Sequence, residues 1–318
     1  MKDRSSAEHN ISSPSKSAAQ PQQRRVKHRR PQRPQRSRFG GYSFSLAAVL
    51  LAVGAATLVA LFSGFAAKPS NAATDDELFG VAELFTSHGC YSCPPADALF
   101  EKMLEEHPNV VGLEYHVDYW DTLIHGSDGS FKDPYSSPDY TLRQQAYNNR
   151  YMEGRRGVYT PQMVINGVYS AVGSQKRFID HALTTLPSPA LQLAVKPSVG
   201  SDTSSNKFNL DISAVTTEDQ LPLKSGLWLM VFHKERTTEI TGGENNRKTL
   251  TNHHIVTSIQ PIGRVSRTLA GETADGAMLL AENVTVELEE GQGCAVLMQD
   301  ALPGTVYAAG YCDRAIWK

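Results

Sequence analysis

The chain has 318 residues, 40% hydrophobic and 20% charged, which is enough for one large domain or two smaller ones with their own cores. Its formal net charge of −2 conceals a division, because residues 1–41 carry +9 and the remaining residues −11. An acidic folded part excludes nucleic-acid binding through a broad basic face.

The N-terminal region has the features of an export segment. Residues 1–41 are rich in Ser, Gln, Pro, Arg and Lys, a composition typical of a disordered basic arm. Residues 42–67 carry no charge and exceed the roughly 20 residues that span a bilayer. The segment is either an inner-membrane anchor or a signal cleaved near Ala72, where small residues resemble a cleavage site. Both alternatives place residues 75–318 in the periplasm or outside the cell.

The central motif is a pair of cysteines between a predicted strand, residues 81–86, and a predicted helix, residues 94–106. Apolar residues three and four apart define the helix, and Pro94 suits its first turn. The positive end of the helix dipole stabilises a thiolate, and two intervening residues let the sulfurs bond. We therefore expect Cys90 to face solvent as the nucleophile and Cys93 to resolve the mixed disulfide.

Two other uses of the same cysteines remain open. A structural disulfide needs the same two residues, and a metal site would combine both thiols with His88. A c-type haem would require His after the second cysteine, where Pro94 stands, so no cofactor is expected.

A second polar group follows the predicted strand at residues 110–115. His116 and Asp118 alternate onto one side at its carboxyl end, the edge where sites gather in open α/β sheets. We expect His116 to contact substrate and Asp118 to move protons. The alternative is that both side chains only hold the loop by hydrogen bonds.

The order of elements up to residue 187 resembles a thioredoxin fold with a helical insertion. A helix beginning at Pro138, a hairpin at Asn166-Gly167 and a helix over residues 175–186 complete the β-α-β, α, β-β-α order. The resemblance implies that Thr160 and Pro161 form the loop that presents a substrate backbone. It also implies that Glu83 is the buried acid that moves protons for the inner cysteine, although its spacing to Cys90 is one residue longer.

Residues 79–265 contain several longer motifs. They are Glu83-Leu84-Phe85-Thr86-Ser87, Cys90-Tyr91-Ser92-Cys93-Pro94-Pro95-Ala96-Asp97, His116-Val117-Asp118-Tyr119-Trp120-Asp121, Tyr159-Thr160-Pro161-Gln162-Met163-Val164-Ile165-Asn166-Gly167, and Gly243-Glu244-Asn245 with Leu250-Thr251 and Asn252-His253. These motifs resemble the secreted family called domain of unknown function 1223. That resemblance implies a thioredoxin-like fold and export, and no established substrate.

Residues 188–318 change to short strand-like runs between turn residues, which predicts an antiparallel β-sandwich-like subdomain. Residues 237–260 are interpreted as a polar hairpin or long loop. Cys294 and Cys312 flank the turn at Pro303-Gly304 symmetrically, so we expect a structural disulfide, with a second redox pair as the alternative. Such a bridge contributes roughly 3 kcal/mol.

The sequence therefore predicts a thioredoxin-like domain over residues 78–187, a β-rich subdomain over residues 188–318, and an exported thiol-disulfide oxidoreductase. Its partners would be exported cysteine-containing proteins or a membrane thiol reductant. The alternatives are a non-catalytic scaffold of the cell envelope with a structural Cys90–Cys93 bridge, and a metal chaperone using these cysteines.

Overall fold

The computed structural model describes residues 78–123, 131–151, 157–189, 191–216, 221–222, 224–265, 271–272, 277–300 and 303–318. The predicted basic arm, the hydrophobic segment at 42–67 and the cleavage site near Ala72 lie outside the described residues. Within them, no helix combines the length and apolar character needed to cross a membrane.

The N-terminal half contains α-helices and strands close to those that periodicity predicts. Residues 94–106 form a helix as expected, because Pro94 and Pro95 occupy positions where no intrahelical N–H bond is lost. The elements are β1 (Gly80–Thr86), α1 (Pro94–Glu106), β2 (Val110–His116), α2 (Pro138–Tyr151), β3 (Gln162–Ile165), β4 (Tyr169–Val172) and α3 (Lys176–Thr185).

The C-terminal half consists of β-strands, and the two longest extend into the segment interpreted as a polar hairpin or long loop. The elements are β5 (Leu191–Pro197), β6 (Lys207–Ala214), β7 (Ser225–Glu239), β8 (Thr249–Val265), β9 (Gly271–Glu272), β10 (Met278–Glu287), β11 (Gln292–Gln299) and β12 (Val306–Tyr311). Of the two interpretations of residues 237–260, the hairpin is confirmed and the long loop is wrong, because β7 and β8 pair in antiparallel register from Glu239↔Thr249 onward.

The predicted fold class, a thioredoxin-like fold followed by an antiparallel sandwich-like subdomain, is wrong. The described strands form one mixed sheet of twelve, in the order β4-β3-β1-β2-β8-β7-β11-β12-β5-β6-β10-β9. The two halves join where β2 pairs with β8 in parallel, at Glu114↔Ile255. Strand periodicity indicates which segments are extended but not which strands pair, so it does not predict a continuous sheet. A domain boundary near residue 188 stays a prediction.

The two faces of β1 pack against different helices. Ala82 and Leu84 lie in a core with α1 and α3, whereas Val81 and Phe85 lie in a core with α2. Because side chains alternate along a strand, Thr86 lies on the α1 face with Leu84. Glu114 and His116 of β2 pair in register with Leu84 and Thr86, so they lie on the same face. This alternation brings polar side chains of both strands beneath the start of α1.

Candidate functional site

The sulfur pair lies in the turn between β1 and α1, which we call the CxxC turn (residues 87–93). Cys90 and Cys93 are joined by a disulfide with Cα atoms 5.5 Å apart, and Cys93 is the N-cap of α1. Both cysteines have zero relative exposure, whereas Tyr91 between them is 67% exposed. The expectation that Cys90 faces solvent is therefore wrong. Only the tip of the turn reaches the surface.

The turn between β7 and β8, residues 240–248 and called here the β7–β8 turn, packs against the CxxC turn through hydrogen bonds. The side-chain amide of Asn245 donates to the carbonyl oxygens of His88 (2.9 Å) and Cys90 (2.8 Å). Glu244 accepts a hydrogen bond from the Tyr91 N–H at 2.9 Å, and its own N–H donates to Gly89. These contacts fix the backbone of the CxxC turn from a segment over 150 residues away.

Two further segments close around the same turn. A Cβ atom on Gly89 would lie 3.1 Å from Trp120 Cβ, so the residue at this position must be small. The Trp120 indole N–H donates to the Thr160 hydroxyl at 2.7 Å. The Thr160–Pro161 peptide is cis. Pro161 and Ala96 of α1 both lie against Gly173, which places this loop beside the first turn of α1. The motifs around residues 90, 120, 160 and 244 therefore converge.

Beneath the disulfide lies a buried polar cluster made up of His88, Asp97, Glu114, His116, Asp133 and Asn252. Asp97 stands one helical turn after Cys93 and accepts from the Thr86 hydroxyl at 2.7 Å. His116 contacts Asp133 through Nδ1 at 2.8 Å and Glu114 through Nε2 at 2.9 Å.

Asn252 and the CxxC turn complete this cluster. The amide of Asn252 donates to Glu114 at 2.7 Å, and its oxygen lies 2.9 Å from His88 Nε2. The backbone N–H of His88 donates to the Asp133 carboxylate at 2.7 Å. The cluster therefore joins the CxxC turn, α1, β2, β8 and the segment before α2 in one hydrogen-bonded network.

Burial and neighbouring charges shift the pKa values of Asp97, His116 and Asp133, and the direction differs between the two carboxyl groups. Burial, followed by the charge of Glu114, raises the pKa of Asp97 well above its usual value. Burial alone would lower the pKa of His116, but Asp133 and Glu114 outweigh it and raise that pKa. Burial would raise the pKa of Asp133, yet His116 and His88 hold it well below its usual value. The ionised pair is thus His116 with Asp133, beside a carboxyl at Asp97 that retains its proton more readily.

Glu83 lies on the opposite face of β1 from the disulfide. It accepts from Arg143 Nε at 2.7 Å and from the Tyr147 hydroxyl, and all three side chains are buried. Asp118 accepts from the Thr141 hydroxyl at 2.5 Å, at the start of α2. Glu83 and Asp118, the residues proposed to move protons, therefore bond to other partners than the CxxC turn, whereas Asp97 stands one turn from Cys93.

The second cysteine pair lies in the C-terminal core. Cys294 and Cys312 form a disulfide with an S–S distance of 2.01 Å, and both are buried among apolar side chains. Sequence reasoning did not identify Asp97, Glu114, Asp133 or Asn245 as site residues. A carboxylate in the otherwise apolar run of β2, two residues before His116, was a usable signal for Glu114; nothing local singles out Asp133.

Comparison with known proteins places the chain in a family. The model of a family described as "Protein of unknown function (DUF1223)" matches residues 81–299. A crystal structure of a protein from Agrobacterium tumefaciens is 28% identical, covers 73% of this chain and 93% of its own, and has a TM-score of 0.54. HBP35 of Porphyromonas gingivalis is 14% identical over 73% of this chain and 74% of its own, with a TM-score of 0.45. A search of curated proteins found no match. The family match covers well over half of the chain, so this protein belongs to the DUF1223 family.

Proposed function

We propose that this protein is an exported thiol-disulfide oxidoreductase whose redox centre is the Cys90–Cys93 pair. The observation that carries the proposal is the disulfide at the start of α1, with Cys93 as the N-cap residue. A thiolate formed there by reduction is stabilised by the helix dipole and by N–H groups without intrahelical partners. A low thiol pKa is what makes one cysteine a good nucleophile and leaving group.

The exchange runs through a mixed disulfide. The Cys90 thiolate attacks one sulfur of a substrate disulfide, forms a new S–S bond and releases the other substrate sulfur as a thiolate. The Cys93 thiolate then attacks Cys90, restoring the internal disulfide and releasing the second substrate thiolate. The substrate gains the two electrons that the protein dithiol loses, and the two protons shed by the cysteines balance those taken up by the substrate thiolates. The reverse sequence oxidises a substrate dithiol.

Thiol-disulfide exchange at Cys90–Cys93 requires the β7–β8 turn, which is the cover in this proposal, to move away from the cysteines. An attacking sulfur must approach along the S–S axis, and both cysteines have zero exposure beneath the β7–β8 turn. The cover is held by the Asn245 and Glu244 hydrogen bonds and by the Lys248 ammonium, 4.7 Å from the centre of the Tyr91 ring. In this proposal a partner first contacts the exposed Tyr91 and then displaces the turn.

The predicted export segment and the two disulfides suit a protein of the periplasm or cell envelope. Its partners would be exported cysteine-containing proteins or a membrane thiol reductant. Thr160 and Pro161 keep their proposed role in presenting a substrate backbone, whereas the zero exposure of His116 argues against its proposed contact with a substrate. Asp97 joins Asp118 and Glu83 as a candidate proton carrier, and its position one turn from Cys93 favours it over those two.

The reduction potential of Cys90–Cys93 tests the proposal. The full chain is equilibrated in redox buffers, the free thiols are alkylated, and each pair is quantified separately by mass spectrometry. We expect the reduction potential of Cys90–Cys93 to lie above about −300 mV, whereas structural disulfides have reduction potentials below that value. The buried Cys294–Cys312 pair is the internal control.

Activity provides the second measurement. Wild type is expected to catalyse reduction of insulin by a small thiol, and Cys90→Ser is expected to abolish this catalysis, whereas Cys312→Ser retains it if the variant folds. A Cys90–Cys93 pair that stays oxidised below about −300 mV, with no insulin reduction, would contradict the proposal.

The zero exposure of both sulfurs favours a second candidate, a non-catalytic scaffold of the envelope with a structural bridge. In that case the disulfide stabilises the packing of four chain segments around the CxxC turn. The two candidates predict opposite results for the potential, so the same experiment separates them.

A further inference from the structure

The deepest part of the buried polar cluster contains two imidazoles and a carboxylate that face one another. One donor atom each from His88, His116 and Asp133 lies within 4.8 Å of the others, and all three residues are buried. His88 Nδ1 has no hydrogen-bond partner among the described residues, although the His88 side chain is only 1% exposed. Leaving a buried polar atom without a partner is unfavourable, and a bound ligand would satisfy it.

The hydrogen bonds of Asn252 determine which nitrogen of His88 carries the proton. The Asn252 amide group donates to Glu114, so the Asn252 oxygen is the atom that faces His88 Nε2. An oxygen acceptor requires Nε2 to be the protonated nitrogen. In the neutral imidazole, Nδ1 is then a bare lone pair. That lone pair faces an oxygen of Asp133 at 3.5 Å, so two electron donors point at each other.

The separation between these donors fits a shared cation better than a hydrogen bond. A charge-assisted N–H···O bond spans about 2.7–2.9 Å, well below 3.5 Å. Two ligands of one zinc ion at about 2.0–2.1 Å and tetrahedral angles lie roughly 3.3 Å apart. His88 Nδ1 lies 3.5 Å from Asp133 Oδ1, close to this spacing, whereas His116 Nδ1 lies 2.8 Å from Asp133 Oδ2, the length of a charge-assisted hydrogen bond.

Both imidazoles also have the outer contacts that orient metal-binding histidines. A metal-binding histidine donates its other ring N–H to a carboxylate, a carbonyl or water. His88 Nε2 faces the Asn252 oxygen and His116 Nε2 faces Glu114, each at 2.9 Å. The two acceptors are themselves joined by the Asn252-to-Glu114 hydrogen bond. Both Nδ1 atoms are thereby directed toward Asp133.

We propose that His88, His116 and Asp133 form a buried site for a divalent transition-metal ion, with Glu114 and Asn252 orienting the two imidazoles. Imidazole with carboxylate suits zinc and its first-row neighbours rather than calcium or magnesium. A 2+ ion also balances the carboxylates of Asp133 and Glu114. Metal binding needs both Nδ1 atoms unprotonated, so a proton on His116 Nδ1 leaves to solvent, while the Nε2 proton stays on the His116 ring and is donated to Glu114. The site is independent of the thiols, because both cysteines are held in a disulfide.

Zinc binding to the full chain without reductant tests this proposal. The protein is stripped with chelator, dialysed against Zn²⁺, and its metal content is measured. We expect about one ion per chain, and the same stoichiometry from calorimetric titration of the stripped protein with Zn²⁺. Co²⁺ should give a spectrum of nitrogen and oxygen ligation without a thiolate charge-transfer band.

Variants locate the ion. His88→Gln and Asp133→Asn should abolish stoichiometric binding, and Glu114→Gln should weaken it by about 10- to 100-fold. His181→Gln, an exposed histidine of α3, is the matched control and should bind like wild type. If the variants at His88, Asp133 and Glu114 fail to fold, the zinc content of the wild-type protein alone tests the proposal. Absence of a bound ion, or binding unaffected by the substitutions in folded variants, would overturn the proposal.

Discussion

The side-chain amide of Asn245 donates a hydrogen bond to the carbonyl oxygen of Cys90 at 2.8 Å, although the two residues are 155 positions apart in the chain. A second bond from the same amide group reaches the carbonyl of His88. The backbone of the CxxC turn therefore obtains its hydrogen bonds from the β7–β8 turn rather than from its own neighbours alone. This relationship makes the cover and the disulfide one structural unit.

Loss of the Asn245 amide should expose the disulfide. Asn245→Ala leaves two buried carbonyls without these donors, which costs about 1–3 kcal/mol in the covered state. We expect the rate of Cys90–Cys93 reduction by a small thiol to rise by about 10- to 100-fold, measured by alkylation and mass spectrometry. Asn246→Ala, at the exposed neighbouring position of the same turn, is the control and should react like wild type. An unchanged rate in Asn245→Ala would show that the turn does not limit access.

The buried ion pair of Arg143 and Glu83 should be essential for stability. Arg143→Met removes the positive partner and leaves the Glu83 carboxylate in an apolar core, which we expect to cost about 3–5 kcal/mol of unfolding free energy. Denaturant unfolding measures this change. Lys176→Met removes an exposed ion pair to Asp180 and should cost less than about 1 kcal/mol. Equal losses in the two variants would contradict this assignment.

The ring of His254 should make the protein less stable in acid. Burial, only partly offset by the hydrogen bond with Gly112, lowers the pKa of His254 to about 4 from a usual 6.5. As the pH falls, the unfolded chain therefore protonates this ring before the folded chain does. The free energy of unfolding should decrease between pH 6.5 and 4 by up to about 3 kcal/mol.

Comparison with a variant isolates that contribution. His254→Asn suits the positive φ of 50° at this position and should flatten the decrease in unfolding free energy between pH 6.5 and 4. His181→Asn, exposed on α3, should leave the slope unchanged. A variant slope as steep as that of wild type would assign the acid sensitivity to other groups.

The Cys294–Cys312 bridge should act on stability alone. It closes a segment with a sequence separation of 18 between two buried cysteines of the C-terminal core. Replacing both by alanine should lower the unfolding free energy by about 3 kcal/mol, measured by thermal or denaturant unfolding. Insulin reduction by the folded variant should match wild type. A selective loss of that activity would instead indicate a second redox pair.

Local sequence pattern was sufficient for the elements that form the CxxC turn. The spacing of Ala96, Phe100 and Met103 defines the buried face of α1, because side chains three and four apart share a helix face. Asn166 and Gly167 both adopt positive φ in the turn between β3 and β4, the conformation for which this residue pair is favoured. The cysteines and Pro161 were likewise recognisable from residue type and position.

Only the tertiary structure decided what surrounds those elements. The pairing of β2 with β8 makes one sheet out of what periodicity divides into two parts, and it brings Asn252 next to Glu114. The same arrangement buries Cys90 beneath Asn245 and turns Glu83 away from the disulfide toward Arg143. Periodicity reports the conformation of a segment and the face it buries. The partner that satisfies a buried polar group is chosen by packing and desolvation across more than a hundred residues, and no local pattern carries that information.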